Sequence, residues 1–406
     1  MEERFTPRDA ADVLSFVAWA AAEGEPLEIV GLGSKRGIGA PVQAARTLDL
    51  SRLSGVTLYE PEELVLSARA GTSLAEIELL LKERNQELAF EPLDYAPLLA
   101  GGRGLDRKGG TIGGVLAANL SGPRRIKAGA ARDHILGVHA VSGRGEAFKS
   151  GGRVVKNVTG YDLSKGLAGS WGTLAVVTDL TFKVLPAAET ETTLALRGLE
   201  DHDAAAAMAA AMGSSGEVSG AAHLPEGMTD KVLGGALGSR PATLLRAEGF
   251  GPSVEYRVGS LKQLFRSVPE IDLIDADRSR ALWADIRDCV AFADGSLKPV
   301  WRVSTAPSEG WKLALALRRE VPASVFYDWQ GGLIWIRMES GEAEAETLRR
   351  LLKQVGGYAT LVRAPASVRA TLRAFEPQQP ALAALSARLK AEFDPKGILN
   401  PGRMGA

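Results

Sequence analysis

The stretch at residues 108–122, KGGTIGGVLAANLSG, constrains this chain more than any other. Gly109, Gly110, Gly113 and Gly114 remove Cβ atoms where a backbone must turn sharply or come close to a ligand. Ala117 and Ala118 keep the next turn slim, and Asn119, Ser121 and Gly122 follow in a turn. The pattern predicts a tight loop running into a short helix. A helix N-terminus with bare N–H groups and no bulky side chains suits an anion such as a pyrophosphate, which points to a nucleotide cofactor. Gly113 and Gly114 are then expected to stay small because the cofactor approaches their backbone.

A second glycine-rich run, GLGSKRGIG at residues 31–39, follows a strand candidate at 27–31. Its successive N–H groups, with Ser34, Lys35 and Arg36, can form a phosphate-holding nest; an ordinary glycine-rich connection has the same composition. The spacing matches neither the Rossmann fingerprint nor a Walker A loop. After the first motif comes GPRRIKAGAARDHILGVHAV, a polar stretch leading into a buried-looking strand. Arg124, Arg125 and Lys127 in it could neutralise phosphates, face a partner or decorate a solvated turn.

With 406 residues the chain is expected to hold two domains. A formal net charge of −1 gives no global pull toward nucleic acid or an anionic membrane. The single cysteine, Cys289, excludes an intramolecular disulfide and a cysteine-only metal cluster, and fits a reducing compartment. Residues 13–22 read as an amphipathic helix starting after Thr6 and Pro7 rather than as a secretory leader. No uninterrupted apolar run reaches the roughly 18 residues that a membrane-spanning helix needs.

Along the chain, strands are predicted at 27–31, 55–59, 64–70, 135–142, 152–158 and 173–184. A helix is predicted at 74–84, with Ser73 as N-cap and Glu76 at the third helical position. Residues 187–192 read as a linker and 203–212 as a helix. Mixed α/β stretches follow near 242–260 and 323–338. A mostly polar helix at 283–292 carries Cys289, and a last helix at 380–393 precedes a turn-rich tail, DPKGILNPGRM. Trp283, Trp301, Trp311, Trp329 and Trp335 are expected as core and interface anchors.

GGTIGGVLAANLSGPRR and GAARDHILGVHAV together resemble the second flavin-binding motif of FAD proteins of the vanillyl-alcohol oxidase and p-cresol methylhydroxylase type. GLGSKRGIG lies where that family has its first pyrophosphate loop. VKNVTGYDL (155–163), GSWGTLAVVT (169–178) and FDPKGILNPGRM (393–404) match three further blocks, so the resemblance spans nearly the whole chain. GPRR, VKNVTGYDLSKGLAGSWGTL, residues 90–92, Asp328, Trp329 and YATLVRA (358–364) are similar to the FAD-binding E-type subunits of bacterial glycolate oxidases.

The resemblance implies an α+β fold: a two-subdomain FAD-binding domain at 1–186, an α+β cap domain at 187–379, and a final helix and tail at 380–406 returning to the FAD domain. It implies FAD as cofactor, with the isoalloxazine at the interface of the two domains. It places Gly31, Gly33, Ser34, Lys35, Arg36 and Gly37 in the first loop. Gly110, Thr111, Gly113, Gly114, Ala117, Asn119, Ser121 and Gly122 belong to the second, and Val176 and Asn400 complete the cofactor set. Tyr161 and Asp162 are either flavin-side residues or a buried, hydrogen-bonded tyrosine with its neighbour. The first loop has no histidine or cysteine to link the flavin, so noncovalent FAD is expected. His134 reads as a locally bonded strand-start residue, and His139 is the next nearest.

By resemblance the assembly oxidises glycolate to glyoxylate. Its partners would be a catalytic flavin subunit and an iron–sulfur subunit, and its substrate a small 2-hydroxy acid. The location would be cytoplasmic, with peripheral contact to the inner membrane through partners as the alternative. Catalytic relatives carry a histidine cluster in the second half. Here only His202, expected in a surface turn, and His223 lie there, which is not metal-ligand spacing. The sequence identifies no general base. That favours an accessory or electron-relay subunit over a stand-alone FAD-dependent 2-hydroxyacid dehydrogenase.

Overall fold

In the computed structural model, residues 3–100, 109–152 and 161–405 are described. Lys108 and most of VKNVTGYDL lie outside the described residues, as do residues 153–158 of the strand expected at 152–158; Gly152 itself follows the strand that ends at Gly151.

The chain opens with a three-stranded parallel sheet, Glu3–Phe5, Leu27–Val30 and Arg46–Asp49, with the third strand in the middle. The helix Ala10–Glu23 covers it. Asp9 caps this helix by accepting the Asp12 N–H, and Gly24 ends it at φ 70°. Val13, Val17 and Ala20 form its buried stripe, packed with Leu27, Leu48, Val141, Val176, Ile398 and Leu399.

A five-stranded antiparallel sheet follows. Its order is Val56–Glu60, Val65–Arg69, Ala175–Lys183, Ile135–Ser142, Ala147–Gly151. The helices Leu74–Lys82 and Ile112–Ala118 pack on it through Ile77, Ile112, Val115 and Leu116. Ser73 caps the first of these, accepting the Glu76 N–H at 3.2 Å.

Residues 190–363 build an eight-stranded antiparallel sheet. Its order is Ile271–Ile274, Thr190–Arg197, Ala242–Gly249, Gly220–Leu224, Ala323–Asp328, Leu333–Met338, Val300–Ser304, Tyr358–Arg363. The stretch near 323–338 is therefore a hairpin of two strands, not a strand and a helix. The predicted helix at 283–292 ends at Arg287, because Cys289 takes φ 58°, and Cys289 is buried in the core.

Strand alternation decides what this sheet offers to each side. Leu245, Trp301, Val303, Ile334 and Ile336 face its covering helices. Leu244, Val300, Phe326 and Trp335 face the other way, into a core shared with Ile38, Leu93, Tyr95 and Leu98 of the first half. Arg246, Arg302 and Asp328 alternate onto this same seam side.

The helix Pro380–Phe393 and the tail return to the first half. Lys390 Nζ donates to Thr173 O at 2.6 Å, and Phe393 packs edge-on against Phe148. The Leu27 N–H donates to Ile398 O and the Asn400 N–H to Leu27 O, so the tail runs beside Leu27–Val30 like an added strand. Among the described residues no helix is long and apolar enough to cross a membrane.

Candidate cofactor site

The two glycine-rich runs meet. A Cβ on Gly31 would lie 2.6 Å from Thr111 Oγ1, and one on Gly110 would lie 2.7 Å from Ser34 Oγ and 3.4 Å from Lys35 Nζ. Two adjoining hollows open along this contact. Gly31, Thr111, Gly114, Ala117 and Asn400 line both; Gly113 lines one, and Gly33, Ser34, Lys35 and Arg36 the other.

The remaining predicted residues lie elsewhere. A Cβ on Gly37 would face the Leu99 side chain, at 3.7 Å, and Gly37 does not line either hollow. Asn119 ends the motif helix at φ 48° and accepts the Arg132 N–H. Ser121 is buried and accepts the Ala131 N–H. Gly122 lies under Trp329, whose indole donates to its carbonyl at 3.0 Å. Val176 points into the core beneath the first helix, because alternation turns Ala175 and Val177 toward the hollow instead.

The motif helix does not present bare N–H groups as its sequence suggests. The Ile112 N–H donates to Thr72 O, Gly113 N–H to Ala70 O, and Gly114 N–H to Thr111 Oγ1. The neighbouring chain at 70–72 has taken the donors that an anion would use. At the other end, the Gly169 and Trp171 N–H groups bind the carbonyls of Leu116 and Ala117. In the first loop, by contrast, the N–H groups of Gly33, Ser34 and Lys35 carry no hydrogen bond among the described residues.

The tail holds this loop. Arg403, buried to 8% exposure, donates to Lys35 O at 3.1 Å and Arg36 O at 3.2 Å. Burial lowers its guanidinium to about 10. Asn400 accepts the Ile29 N–H and donates to Trp171 O, both at 2.8 Å. Arg403 was not among the residues expected at the site, although it sits in the matched tail block.

The seam between the halves carries a second set of charges. Arg124 pairs with Glu87, Glu91 and Glu248, and Arg246 with Glu91 and Glu248. Burial alone would raise the Glu91 carboxyl, but Arg246 and Arg124 outweigh it and hold it down at about 2. Arg125 and Arg302 each lie 4.7 Å from the Trp329 ring. Arg302 is buried with Nε and Nη2 unpartnered among the described residues. Asp328 beside Trp329 is raised to about 7 by burial, although it accepts the Trp329 N–H. Arg124 and Arg125 thus serve the seam and not the hollow, and Lys127 is exposed, 3.8 Å from Glu217.

Tyr161 is 91% exposed, which removes the reading of a buried tyrosine, and Asp162 caps a short helix through the Lys165 N–H. His134 is buried, bonded through Nε2 to Ala128 O at 2.8 Å, and His139 is exposed on its strand. Neither lines the hollow. His202 lies in the first turn of the helix Asp201–Met212, not in a loop. His223 is buried with Nδ1 on Thr243 and Nε2 3.4 Å from Asp201. Among the described residues no three His, Cys, Asp or Glu side chains group as metal ligands.

This fold is shared with solved flavoenzymes. The structure of p-cresol methylhydroxylase with substrate bound superposes with a TM-score of 0.73 at 13% identity, covering 99% of this chain and 88% of that one. A family described as "FAD binding domain" matches residues 3–151. Glycolate oxidase subunit GlcE of Escherichia coli (strain K12) is 31% identical over 395 residues, 97% of this chain and 97% of that protein. Glycolate oxidase subunit GlcD of Bacillus subtilis (strain 168) is 27% identical over 323 residues, covering 73% of this chain and 68% of the relative. The family match and these relatives define an FAD-dependent oxidoreductase. Within that class, the chain belongs to the family of the GlcE-type glycolate oxidase subunits.

Proposed function

We propose that this chain is the FAD-binding subunit of an assembly that oxidises glycolate to glyoxylate, and that it acts there as an accessory or electron-relay subunit. The observation that carries the reading is the likeness to a glycolate oxidase subunit along 97% of both chains. FAD supplies the redox chemistry when bound, accepting a hydride and passing electrons onward.

The chain's own part is position and electrostatics. The loop at 31–36 and Thr111, Gly114 and Ala117 hold the pyrophosphate, and Asn400 and Arg403 fix that loop. Functional units fall at 1–186 for FAD binding, 187–379 for the cap, and 380–406 for the returning helix and tail. The isoalloxazine points toward the seam, where Trp329, Arg302 and Asp328 lie. Partners are a catalytic flavin subunit and an iron–sulfur subunit, in the cytoplasm or at the inner membrane through those partners.

The FAD is held noncovalently, because neither His134, His139 nor Cys289 reaches the hollow. Acid precipitation of the purified chain should release all yellow colour into the supernatant. Co-expression of the three chains should give glycolate-dependent dye reduction that is lost when this chain is omitted. Robust turnover of glycolate by the isolated chain would instead make it a stand-alone 2-hydroxyacid dehydrogenase.

A further inference from the structure

Pyrophosphate brings two negative charges, and the donors of the motif helix are already committed to Ala70, Thr72 and Thr111. The cations lining the hollow are Lys35, Arg36 and Arg403. Arg36 is tied to Glu28, and Arg403 is spent on the carbonyls of Lys35 and Arg36. Lys35 is different. Its side chain is inside, at 9% exposure, and no carboxylate lies within ion-pair distance among the described residues. Its one side-chain partner is Ser34 Oγ at a long 3.5 Å. Its Nζ stands where the two glycine-rich runs meet, 3.4 Å from the position of a Cβ on Gly110.

We propose that at alkaline pH Lys35 is the residue that becomes charged when the pyrophosphate enters, so that capture of FAD there takes up a proton. The inference rests on the hollow being the FAD site, and makes the affinity for the cofactor pH-dependent through one side chain. A buried ammonium with no counter-ion loses its proton readily, and a phosphate oxygen beside it restores the proton. Burial pushes Lys35 down to about 8, against the pull of Asp94 from further along the first half and Asp288 from the cap side. Arg36 and Arg403 are the neighbouring cations, with Glu28 beyond Arg36 as their counter-ion. Asp94 itself is occupied, accepting the N–H groups of Ala96 and Gly109.

The sign follows from linkage. Below about pH 7 Lys35 is already protonated in the empty protein, and FAD binds without proton exchange. Above about pH 8 the empty protein carries the neutral amine and the complex the ammonium, so binding consumes a proton and weakens with pH by up to about tenfold per unit.

The test is titration calorimetry of the FAD-stripped full-length chain with FAD, in buffers of different ionisation enthalpy. The expected uptake is close to zero near pH 6.5 and more than about half a proton near pH 9. Lys35→Met should bind roughly tenfold to a hundredfold more weakly at about pH 7, with no proton uptake and a flat pH profile. Lys35→Arg should keep tight binding, also with a flat profile, which separates loss of charge from loss of folding. Tight FAD binding by the native chain without uptake near pH 9, or uptake persisting in Lys35→Met, overturns the proposal alone. No FAD binding by the native chain at any pH overturns the site reading and the proposal with it.

Discussion

At Gly113 an added Cβ would lie 2.8 Å from both the Cβ and the carbonyl oxygen of Ala70. One helix position further on, a Cβ on Gly114 would meet only Thr111 Oγ1, at 3.3 Å. The sequence offered one reason for both glycines, close approach of a cofactor. The structure divides it: Gly113 is small so that the helix can sit against the sheet, and Gly114 faces the hollow. Gly113→Ala should therefore destabilise the FAD-free chain by about 1–3 kcal/mol through overpacking, read from urea unfolding. Gly114→Val should leave the apo unfolding midpoint close to that of the native chain and lower FAD affinity by roughly a hundredfold or more, the effect of filling a ligand's space. A variant at Gly114 with native FAD affinity would show that the hollow takes its ligand elsewhere. The neighbouring valines carry the same lesson. Nothing in VV at 176 and 177 says which faces the hollow; that parity is set by the first helix, which covers Val176.

The elements that matter at the site are tied by contacts far apart in sequence. Strand and helix periodicity placed most of them, including the motif helix, the capped helix after Ser73 and the last helix. What periodicity does not contain is who satisfies whom. The expectation of bare N–H groups at the motif helix failed because carbonyls from residues 70 and 72 reach them. Arg403 escaped notice because its partners are main-chain oxygens 367 and 368 positions earlier, which no local pattern encodes. Arg124, read from its neighbours as part of a basic turn, is largely enclosed by three carboxylates from two distant segments, Glu87 and Glu91 from one and Glu248 from the other. A direct test of the tail's role is Arg403→Met. Freed of their donor, the carbonyls of Lys35 and Arg36 let the loop relax, and FAD affinity should fall by about 10- to 100-fold, as when a supporting contact to a ligand-holding group is removed. Asn400→Ala should cost about 1 kcal/mol of apo stability as well, because the partly buried Ile29 N–H loses its partner. Unchanged FAD affinity in Arg403→Met would mean that the loop holds its own shape.

Across the whole molecule, the two halves are joined by charge as much as by apolar packing. Glu91 from the first half faces Arg246 from the large sheet at 2.8 Å, with Arg124 and Glu248 completing the group. Because the folded-state Glu91 carboxyl is depressed from 4.5 to about 2, its contribution is fully present above about pH 4.5 and is lost as pH falls toward 2. That shift corresponds to roughly 3–4 kcal/mol. Glu91→Gln should cost about 3–5 kcal/mol near neutrality, since it leaves Arg246 and part of Arg124 buried and less compensated. The gap between variant and native chain should narrow markedly when urea unfolding is repeated near pH 3. A gap of constant size would place the acid sensitivity of the molecule outside the seam.

The return of the tail also sets a timetable. The sheet that carries the motif helix is finished at Lys183, yet the loop at 31–36 is held by Arg403, about 220 residues later in synthesis. While the chain is still being made, its first half can collapse and pair its strands, as domains do on the ribosome. The hollow lacks two of its lining side chains, Asn400 and Arg403, until the last stretch has emerged and laid itself beside Leu27. On the proposed reading of the hollow, flavin loading is a closing event in the birth of the molecule, and a chain cut short before residue 400 is expected to keep its sheets but lose the clasp.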